Sequence, residues 1–305
     1  MSNALIVLLG ALAFDLLIGE PPSRLHPVVW IGTLQRWLRR RAPRTAAAQL
    51  VYGAMMALVG PALFGGGAWW LLRALHGVPA ILVGIFLLKS SFAARGLGAA
   101  GLAVARALTA GDVAEARHAL RSLVSRDTSR LPPPLLAAAA VESVAENISD
   151  SVVAPLFFFC LGGVPAALAY RACNTLDAMI GYHGETEWLG KAAARLDDLL
   201  NLIPARISAI LVVLAAPLGG GSLVGALRIG WRDGARTESP NAGWPMAAMA
   251  GALDLQLEKV GYYRLGDLRR EPAARDIRRA VAIMAVAMAA AFALTASFAA
   301  MQHAA

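Results

Sequence analysis

The chain alternates between long apolar runs and short polar connections. Four of the runs are candidates for membrane-spanning helices, and they cover residues 4–18, 50–75, 78–94 and 280–301. A helix needs about 20 apolar residues to cross a bilayer, so the first and third runs are slightly short. Three adjacent glycines, Gly65 to Gly67, interrupt the second run. This pattern predicts a protein built largely of membrane helices.

Two later apolar runs, residues 155–170 and 204–219, contain helix-breaking residues. The breakers are Gly162, Gly163 and Pro165 in the earlier run and Pro217 in the later one. Paired interruptions of this kind often mark half-helices around a site in membrane proteins. We therefore expect both runs to re-enter the membrane rather than cross it, which would leave every polar motif on one side.

Residues 95–134 have a different pattern, in which charged residues alternate with Ala and Leu at helical spacing. The dipeptide Gly111-Asp112 predicts a turn followed by a helix start, and the prolines at 132–134 are predicted to end the second helix. This segment is expected to be an amphipathic helical pair that forms a cytoplasmic insert.

Composition agrees with a membrane protein, because 58% of the 305 residues are hydrophobic and only 16% are charged. A soluble domain carries about 25% charged residues. The chain lacks the alternating pattern of a β-barrel, so helices must satisfy its backbone in lipid. The expected fold is all-α: a polytopic membrane helical bundle with broken or re-entrant helices, in a single integral membrane domain over residues 1–305.

The formal net charge of +8 comes mostly from arginine. Arginine clusters at 36–44 and 269–279 predict cytoplasmic loops by the positive-inside rule, which suggests an inner-membrane protein with a cytoplasmic site. The polar motifs within residues 137–264 are acidic, so no nucleic-acid partner is expected. These motifs are the main candidates for catalysis.

Three carboxylates, Glu142, Glu146 and Asp150, lie four residues apart between apolar stretches. On a helix they form one stripe, whose like charges repel and need a counter-cation. Hard oxygen ligands of this kind suit Mg²⁺, which often bridges to phosphate. A solvated helix face is the alternative, and the apolar flanks argue against it.

A second cluster occupies residues 170–206. On helices, Asn174 and Asp177 share one face and Asp197 and Asn201 share another. Further polar residues in this cluster are Asp198, Arg171, Lys191, Arg195 and Arg206. Carboxylates, amides and cations together are typical of sites that handle phosphoryl groups. An ion pair between Asp197 and Arg195 is the alternative, whereas metal ligation by His183 is not expected because no second histidine lies at ligand spacing.

Two loops complete the candidates. Ser239 and Asn241 lie in a turn before a helix whose first N–H groups could receive an anion. The alternative is a plain Asx-type turn with a cap, which is common in any protein. Trp244 could stack on a planar ligand or lie at the membrane interface. His26 lies in the proline-rich loop GEPPSRLHPVVWIG, next to Glu20 and Arg24.

Three motifs together resemble a known family. The run from ESVAENISDSVVAP to DDLLNLIPAR, the run ESPNAGWPMAAMAGAL and the loop GEPPSRLHPVVWIG are similar, in the same order, to the adenosylcobinamide-phosphate synthase family, CobD/CbiB. The resemblance covers nearly the whole chain. Glu20 replaces the aspartate usual in the first loop, and Leu257-Glu258-Lys259 replaces a Leu-Gly-Gly sequence.

The resemblance implies a multi-pass membrane enzyme of cobalamin biosynthesis. It would join adenosylcobyric acid to an aminopropanol phosphate, or a related amino alcohol, through an amide bond. Expected partners are this corrinoid, the amino alcohol phosphate, membrane lipids and other proteins of the pathway.

For such a ligase we expect ATP and Mg²⁺ as cofactors, because a free acid must be activated before an amine can attack it. The expected metal ligands are Glu142, Glu146, Asp150 and Asp177. The expected catalytic residues are Glu146, Asp177, Asp197, Asp198 and Arg206, with Asp197 or Asp198 as the base. The expected substrate-binding residues are His26, Arg171, Asn174, Lys191, Asn201, Ser239, Asn241 and Trp244.

Two other classes of function stay open. An intramembrane transferase of prenyl or alcohol phosphates also uses Asp-rich helices with Mg²⁺, and release of diphosphate would identify it. A secondary transporter would also explain broken helices and buried carboxylates, and it would move its substrate without chemical change.

Overall fold

The structure is a computed structural model, and it describes residues 3–181, 184 and 186–304. In these residues the chain forms twelve α-helices, one π-helical turn and one small hairpin. The helices are α1 (Asn3–Leu17), α2 (Pro27–Arg39), α3 (Ala46–Ala74), α4 (Gly77–Lys89), α5 (Ala94–Thr109), α6 (Val113–Leu120), α7 (Pro133–Ile148), α8 (Ala154–Ile180), α9 (Glu187–Ala215), α10 (Leu223–Asp233), α11 (Gly243–Leu253) and α12 (Ala274–Ala304). The π-helical turn is Ser149–Val153, and the antiparallel strands are β1 (Leu257–Lys259) and β2 (Tyr263–Leu265).

Five helical stretches in the described part of the chain are long and apolar enough to cross a membrane. They are Ala46–Ala74, Gly77–Thr109, Pro133–Ile180, Glu187–Ala215 and Ala274–Gln302. The prediction of an all-α, polytopic membrane protein is confirmed. Whether individual stretches cross or re-enter, and which side they face, stay predictions.

The break predicted in the 155–170 run is present. Gly162 and Gly163 leave helical geometry inside α8, and Gly163 has a φ of 66° with a ψ of −158°. A residue with a Cβ rarely adopts that conformation, so glycine is required there. Because the chain bends at this point, Phe158 stacks on Tyr170, with ring centroids 5.1 Å apart and nearly parallel planes.

The interruption predicted in the 50–75 run is wrong. The helix α3 runs without a break through Gly65 to Gly67. Gly65 is needed for packing, since a Cβ there would lie 2.8 Å from the Ala169 Cβ of α8. In the 204–219 run, the helix α9 continues through Pro204 and ends at Ala215, two residues before the predicted breaker Pro217. Gly65 thus serves close helix contact rather than chain reversal.

The predicted 95–134 helical pair is present but its bounds differ. Gly111 has a φ of 76°, and the Asp112 side chain accepts a hydrogen bond from the Glu115 N–H, so the turn and helix start are confirmed. The second helix, α6, ends at Leu120. The prolines at 132–134 do not end it; they open α7 instead, because proline fits the first turn, where no N–H partner exists. In addition, α5 lies within the apolar stretch Gly77–Thr109, so it belongs to a candidate membrane span as well as to the predicted amphipathic pair.

The chain divides into two compact units. Unit 1 comprises Met1–Ala93, Ala154–Asn201 and Ala293–Ala305, and unit 2 comprises Ala94–Val153 and Leu202–Phe292. In unit 1, α3 and α2 pack on α8, and an apolar core joins these helices to the start of α9. In unit 2, α5, α6, α11 and β1 surround α7. Eleven of the sixteen residues of α7 are buried, so this is a central helix and not a solvated one.

Candidate functional site

A hydrogen-bonded chain of polar side chains joins α8 to α9 in unit 1. The buried carboxylate of Asp197 accepts hydrogen bonds from Asn201 Nδ2 at 2.9 Å and from Asn174 Nδ2 at 3.3 Å. Arg171 Nη1 donates to Asn174 Oδ1 at 3.0 Å, and the Tyr170 hydroxyl donates to Asn201 Oδ1 at 3.0 Å. These hydrogen bonds between α8 and α9 show that Asn174 lies against the face that carries Asp197 and Asn201.

The surroundings of Asp197 favour a functional role over the alternative of an ion pair with Arg195. The hydrogen bonds to its carboxylate come from two amides, whereas Arg195 is exposed. Amide donors stabilise a buried carboxylate without neutralising its charge, which leaves the charge available to a ligand or a proton. Asp177 and Asp198 are half-buried on the same two helices. Lys191 is exposed, with its ammonium 4.7 Å from the centroid of the Trp188 ring.

A buried ion network ties the proline-rich loop to unit 1. The ammonium of Lys89 lies 3.1 Å from Asp15 Oδ1 and 2.9 Å from Glu20 Oε1, and it donates to the Phe92 carbonyl. His26 Nε2 lies 2.9 Å from Glu20 Oε2. The other ring nitrogen of His26 accepts from the Val28 N–H and caps α2. Both nitrogens of His26, a predicted substrate-binding residue, are therefore engaged within the loop.

The charge of Glu20 is stabilised by this network. Burial alone raises the pKa of Glu20, but hydrogen bonds from His26 and Lys89 outweigh it and hold the pKa below its ordinary value. The carboxylate is therefore ionised at neutral pH. The longer side chain of glutamate, in place of the usual aspartate, reaches both partners.

The acidic stripe on α7 is only partly regular. Glu142 and Glu146 lie one turn apart on α7, but Asp150 falls in the π-helical turn. A π turn has a different residue spacing, so Asp150 does not continue the stripe in α-helical register. Glu142 is also paired already, since Arg126 Nη2 lies 2.6 Å from its Oε2. The required counter-cation is thus supplied in part by the protein itself.

The turn before α11 has most of its polar groups in use. The Thr237 hydroxyl accepts from the Gly243 N–H at 3.0 Å, and the Trp244 N–H donates to the Asn241 carbonyl at 3.1 Å. The Ser239 hydroxyl accepts from the Asn241 N–H at 3.3 Å. Ala242, which precedes α11, provides no side-chain cap. The roles of Ser239 and Asn241 in binding an anion or a substrate stay predictions.

Arg206 of α9 reaches that turn within unit 2. Its Nη1 lies 2.5 Å from Asn241 Oδ1, and its guanidinium lies 5.0 Å from the centroid of the Trp244 ring. Trp244 also contacts Trp231 edge to face. Three residues predicted separately as functional, Arg206, Asn241 and Trp244, are therefore in direct contact.

No ready-made metal centre is formed by the residues that the structure describes. Within 3–181, 184 and 186–304, no three His, Cys, Asp or Glu side chains are grouped so that they could hold a metal ion. Mg²⁺ that arrives with substrate phosphates needs only one or two carboxylates, so the roles of Glu142, Glu146, Asp150 and Asp177 as ligands stay predictions. His183 lies outside the described residues.

Comparison with known proteins decides the family. The model of the "CobD/Cbib protein" family matches residues 8–293. The chain belongs to the CobD/CbiB family. It is 50% identical over 267 residues to the cobalamin biosynthesis protein CobD of Dehalococcoides mccartyi, covering 86% of this chain and 87% of that protein. It is 44% identical over 296 residues to CobD of Klebsiella pneumoniae, covering 92% of each. No solved structure matches the chain.

A further CobD/CbiB relative is the cobalamin biosynthesis protein CbiB of Salmonella typhimurium, 41% identical over 300 residues and covering 93% of this chain and 94% of that protein. Membership supports a role for this chain in cobalamin biosynthesis. The matched span includes all three motifs that carried the resemblance.

Four residues of these centres were not predicted from the sequence. Asp15 and Lys89 are single charges within or at the end of apolar runs, a signal that marks functional or paired residues in membrane segments. Tyr170 and Arg126 carried no comparable signal, because a tyrosine at a helix middle and an arginine in a polar loop are common. Their partners lie 31 and 16 residues away and depend on tertiary structure.

Proposed function

We propose that this CobD/CbiB protein is an amide-bond-forming ligase of the cell inner membrane. It joins the free carboxylate of adenosylcobyric acid to the amine of (R)-1-amino-2-propanol phosphate, or of a related amino alcohol, and gives adenosylcobinamide phosphate. ATP transfers its γ-phosphoryl group to the acid, the amine displaces phosphate from the acyl phosphate, and the products are the amide, ADP and inorganic phosphate. The active site is proposed to face the cytoplasm.

The observation that supports this proposal is the family match across residues 8–293, together with the three motifs in their order. The relatives are described as cobalamin biosynthesis proteins, and the ligase chemistry is our inference from the resemblance. Mg²⁺ bound to ATP would supply charge neutralisation on the phosphates. Negative charge that develops on the transferred group would be offset by Arg171 if the site lies in unit 1, or by Arg206 if it lies in unit 2.

The attacking amine must also lose a proton. Ammonium is not nucleophilic, so a carboxylate near the reacting atoms has to accept that proton. Unit 1 offers Asp197, which is buried between amide donors, and unit 2 offers Glu142 and Glu146 on α7. Substitution of each of these three carboxylates by its amide shows whether the base lies in unit 1 or in unit 2.

The test is a mass-spectrometric assay of the corrinoid after incubation of the purified chain in lipid nanodiscs with both substrates. With ATP, we expect a corrinoid product whose mass equals the summed masses of the two substrates minus one water. Without ATP, we expect no such product. Asp197→Asn should lower the rate at least about 100-fold if Asp197 assists the reaction. The matched control is Asp127→Asn in an exposed loop, which should stay within about twofold. Absence of product with ATP contradicts the proposal.

A secondary transporter is the second candidate, because α8 has a genuine break at Gly162 and Gly163 and charges are buried in apolar stretches. The same assay separates the two functions. A transporter would release unaltered corrinoid across a vesicle membrane, and no amide product would form in nanodiscs.

A further inference from the structure

The helix α2 is short and amphipathic, and it is attached to the start of a candidate membrane span. Its buried residues include Ile31, Gln35 and Leu38, and α2 packs on α3 and α8 within unit 1. The Tyr52 hydroxyl of α3 donates to the Leu38 carbonyl at 3.1 Å, which fixes the end of α2 against the first turns of α3. A helix of 13 residues is about 20 Å long, whereas the apolar core of a bilayer is about 30 Å thick. A short amphipathic helix in this position is typical of segments that lie along the membrane surface.

The exposed face of α2 presents two tryptophan rings. Trp30 and Trp37 lie two helical turns apart on this face, and they are 46% and 50% exposed. The Trp30 N–H donates to the Arg24 carbonyl at 2.9 Å, and the Arg41 guanidinium lies 3.7 Å from the centroid of the Trp37 ring. These contacts hold both rings at the surface of the protein. Tryptophan in this setting is typical of the interface between lipid headgroups and acyl chains.

A cluster of arginines without counter-charges surrounds the end of α2. All of them are exposed, and they are Arg36, Arg39, Arg40, Arg41 and Arg44. The sequence contains no Asp or Glu between Glu20 and Asp112, and none of these arginines forms an ion pair with any residue that the structure describes. The negative end of the α2 dipole offsets only the charges in the last helical turn. The cluster therefore keeps a positive field that attracts anions.

We propose that the exposed face of α2 and residues 40–44 bind the phosphate groups of anionic phospholipids. The two indole rings lie at the boundary between headgroups and acyl chains, and the arginines bind the phosphates. A guanidinium can donate two parallel hydrogen bonds to one phosphate, so arginine suits this contact. In a zwitterionic lipid the ammonium next to the phosphate cancels much of the attraction, so the cluster selects lipids with a net negative charge. This inference is independent of the proposed ligase reaction.

The test measures which lipid contacts Trp37 in the full chain. The protein is placed in nanodiscs of equal parts phosphatidylglycerol and phosphatidylcholine, in which one lipid or the other carries bromine atoms that quench tryptophan fluorescence. Subtraction of the signal of Trp37→Phe isolates Trp37 from the other tryptophans. We expect phosphatidylglycerol to be preferred about fivefold at this position, because one arginine near an anionic surface contributes about that factor. The double variant Arg40→Gln with Arg44→Gln should lower the preference to about twofold or less.

Two control variants separate the loss of charge from damage to the fold. Arg40→Lys with Arg44→Lys keeps both charges and should keep the preference within about twofold. Arg73→Gln removes an exposed cation from the last turn of α3, at the opposite end from α2, and should leave the preference unchanged. Salt at about 0.5 M should lower the wild-type preference, because exposed charges are screened. The inference is overturned if the two lipids quench Trp37 equally, if the glutamine double variant keeps the full preference, if both double variants lose it equally, or if salt has no effect.

Discussion

The buried ion network around Lys89 gives the sharpest prediction for stability. Lys89→Met removes an ammonium that lies 3.1 Å from Asp15 Oδ1, and both of these side chains are 0% exposed. Removing one partner of a buried pair costs about 3–5 kcal/mol, because the remaining charge is left without compensation. Glu20 is 39% exposed, so solvent screens it and its share is only about 0–1 kcal/mol.

The double variant Asp15→Asn with Lys89→Met isolates the cause. It leaves no buried charge at this point, so it should recover at least about 2 kcal/mol relative to Lys89→Met alone. Arg73→Met is the matched control, since Arg73 is exposed and its guanidinium lies 4.5 Å from the Trp69 ring centroid. The control should cost no more than about 1 kcal/mol.

The assay is equilibrium unfolding in mixed micelles, with helix content measured by circular dichroism. The reasoning is refuted if Lys89→Met loses less than about 1 kcal/mol, because a buried unpaired carboxylate cannot be that inexpensive. It is also refuted if the double variant is as unstable as the single one, since the loss would then come from packing and not from charge.

Three further predictions use the same unfolding assay. Gly163→Ala should lower the free energy of unfolding by about 1–2 kcal/mol because Gly163 has a positive φ. Gly66→Ala, in open space within α3, should be neutral or stabilising. Equal effects of the two substitutions would contradict the structure. The pKa of Glu20 is lowered in the folded protein, so its contribution to the free energy of unfolding is present above about pH 4.5 and is lost as pH falls through the folded pKa. Glu20→Gln should flatten that part of the plot of stability against pH. An unchanged plot would show that Glu20 is not involved. Tyr170→Phe should lower the free energy of unfolding by about 1 kcal/mol, because the hydrogen bond to Asn201 is lost. Unchanged stability would contradict the presence of that hydrogen bond.

Periodicity predicted the membrane character and the positions of most helices, because apolar length is a local property of the chain. It also put Asn174 with Asp177, and Asp197 with Asn201, on shared helix faces, since the faces of a helix follow from spacing alone. Glycine and proline were less informative. Gly65 and Pro204 lie inside continuous helices and Pro133 opens one, because the packing partners of these residues decide their effect.

Charge pairing was the least predictable feature. Arg126 pairs with Glu142 from a loop 16 residues earlier, and Lys89 pairs with Asp15 from another helix. Spacing along one helix cannot indicate such partners. The π-helical turn at Asp150 could not be predicted for a related reason. An α-helix and a π turn can have the same sequence pattern, and only their hydrogen bonds distinguish them.

The proposed ligase reaction is tested most directly by the fate of one oxygen atom. Adenosylcobyric acid labelled with ¹⁸O in its free carboxylate is turned over by the purified chain with ATP and the amino alcohol phosphate. Activation as an acyl phosphate predicts one ¹⁸O in each inorganic phosphate released, matched to one amide formed. Recovery of the label in AMP or in water, or amide without any ATP cleavage, would contradict it.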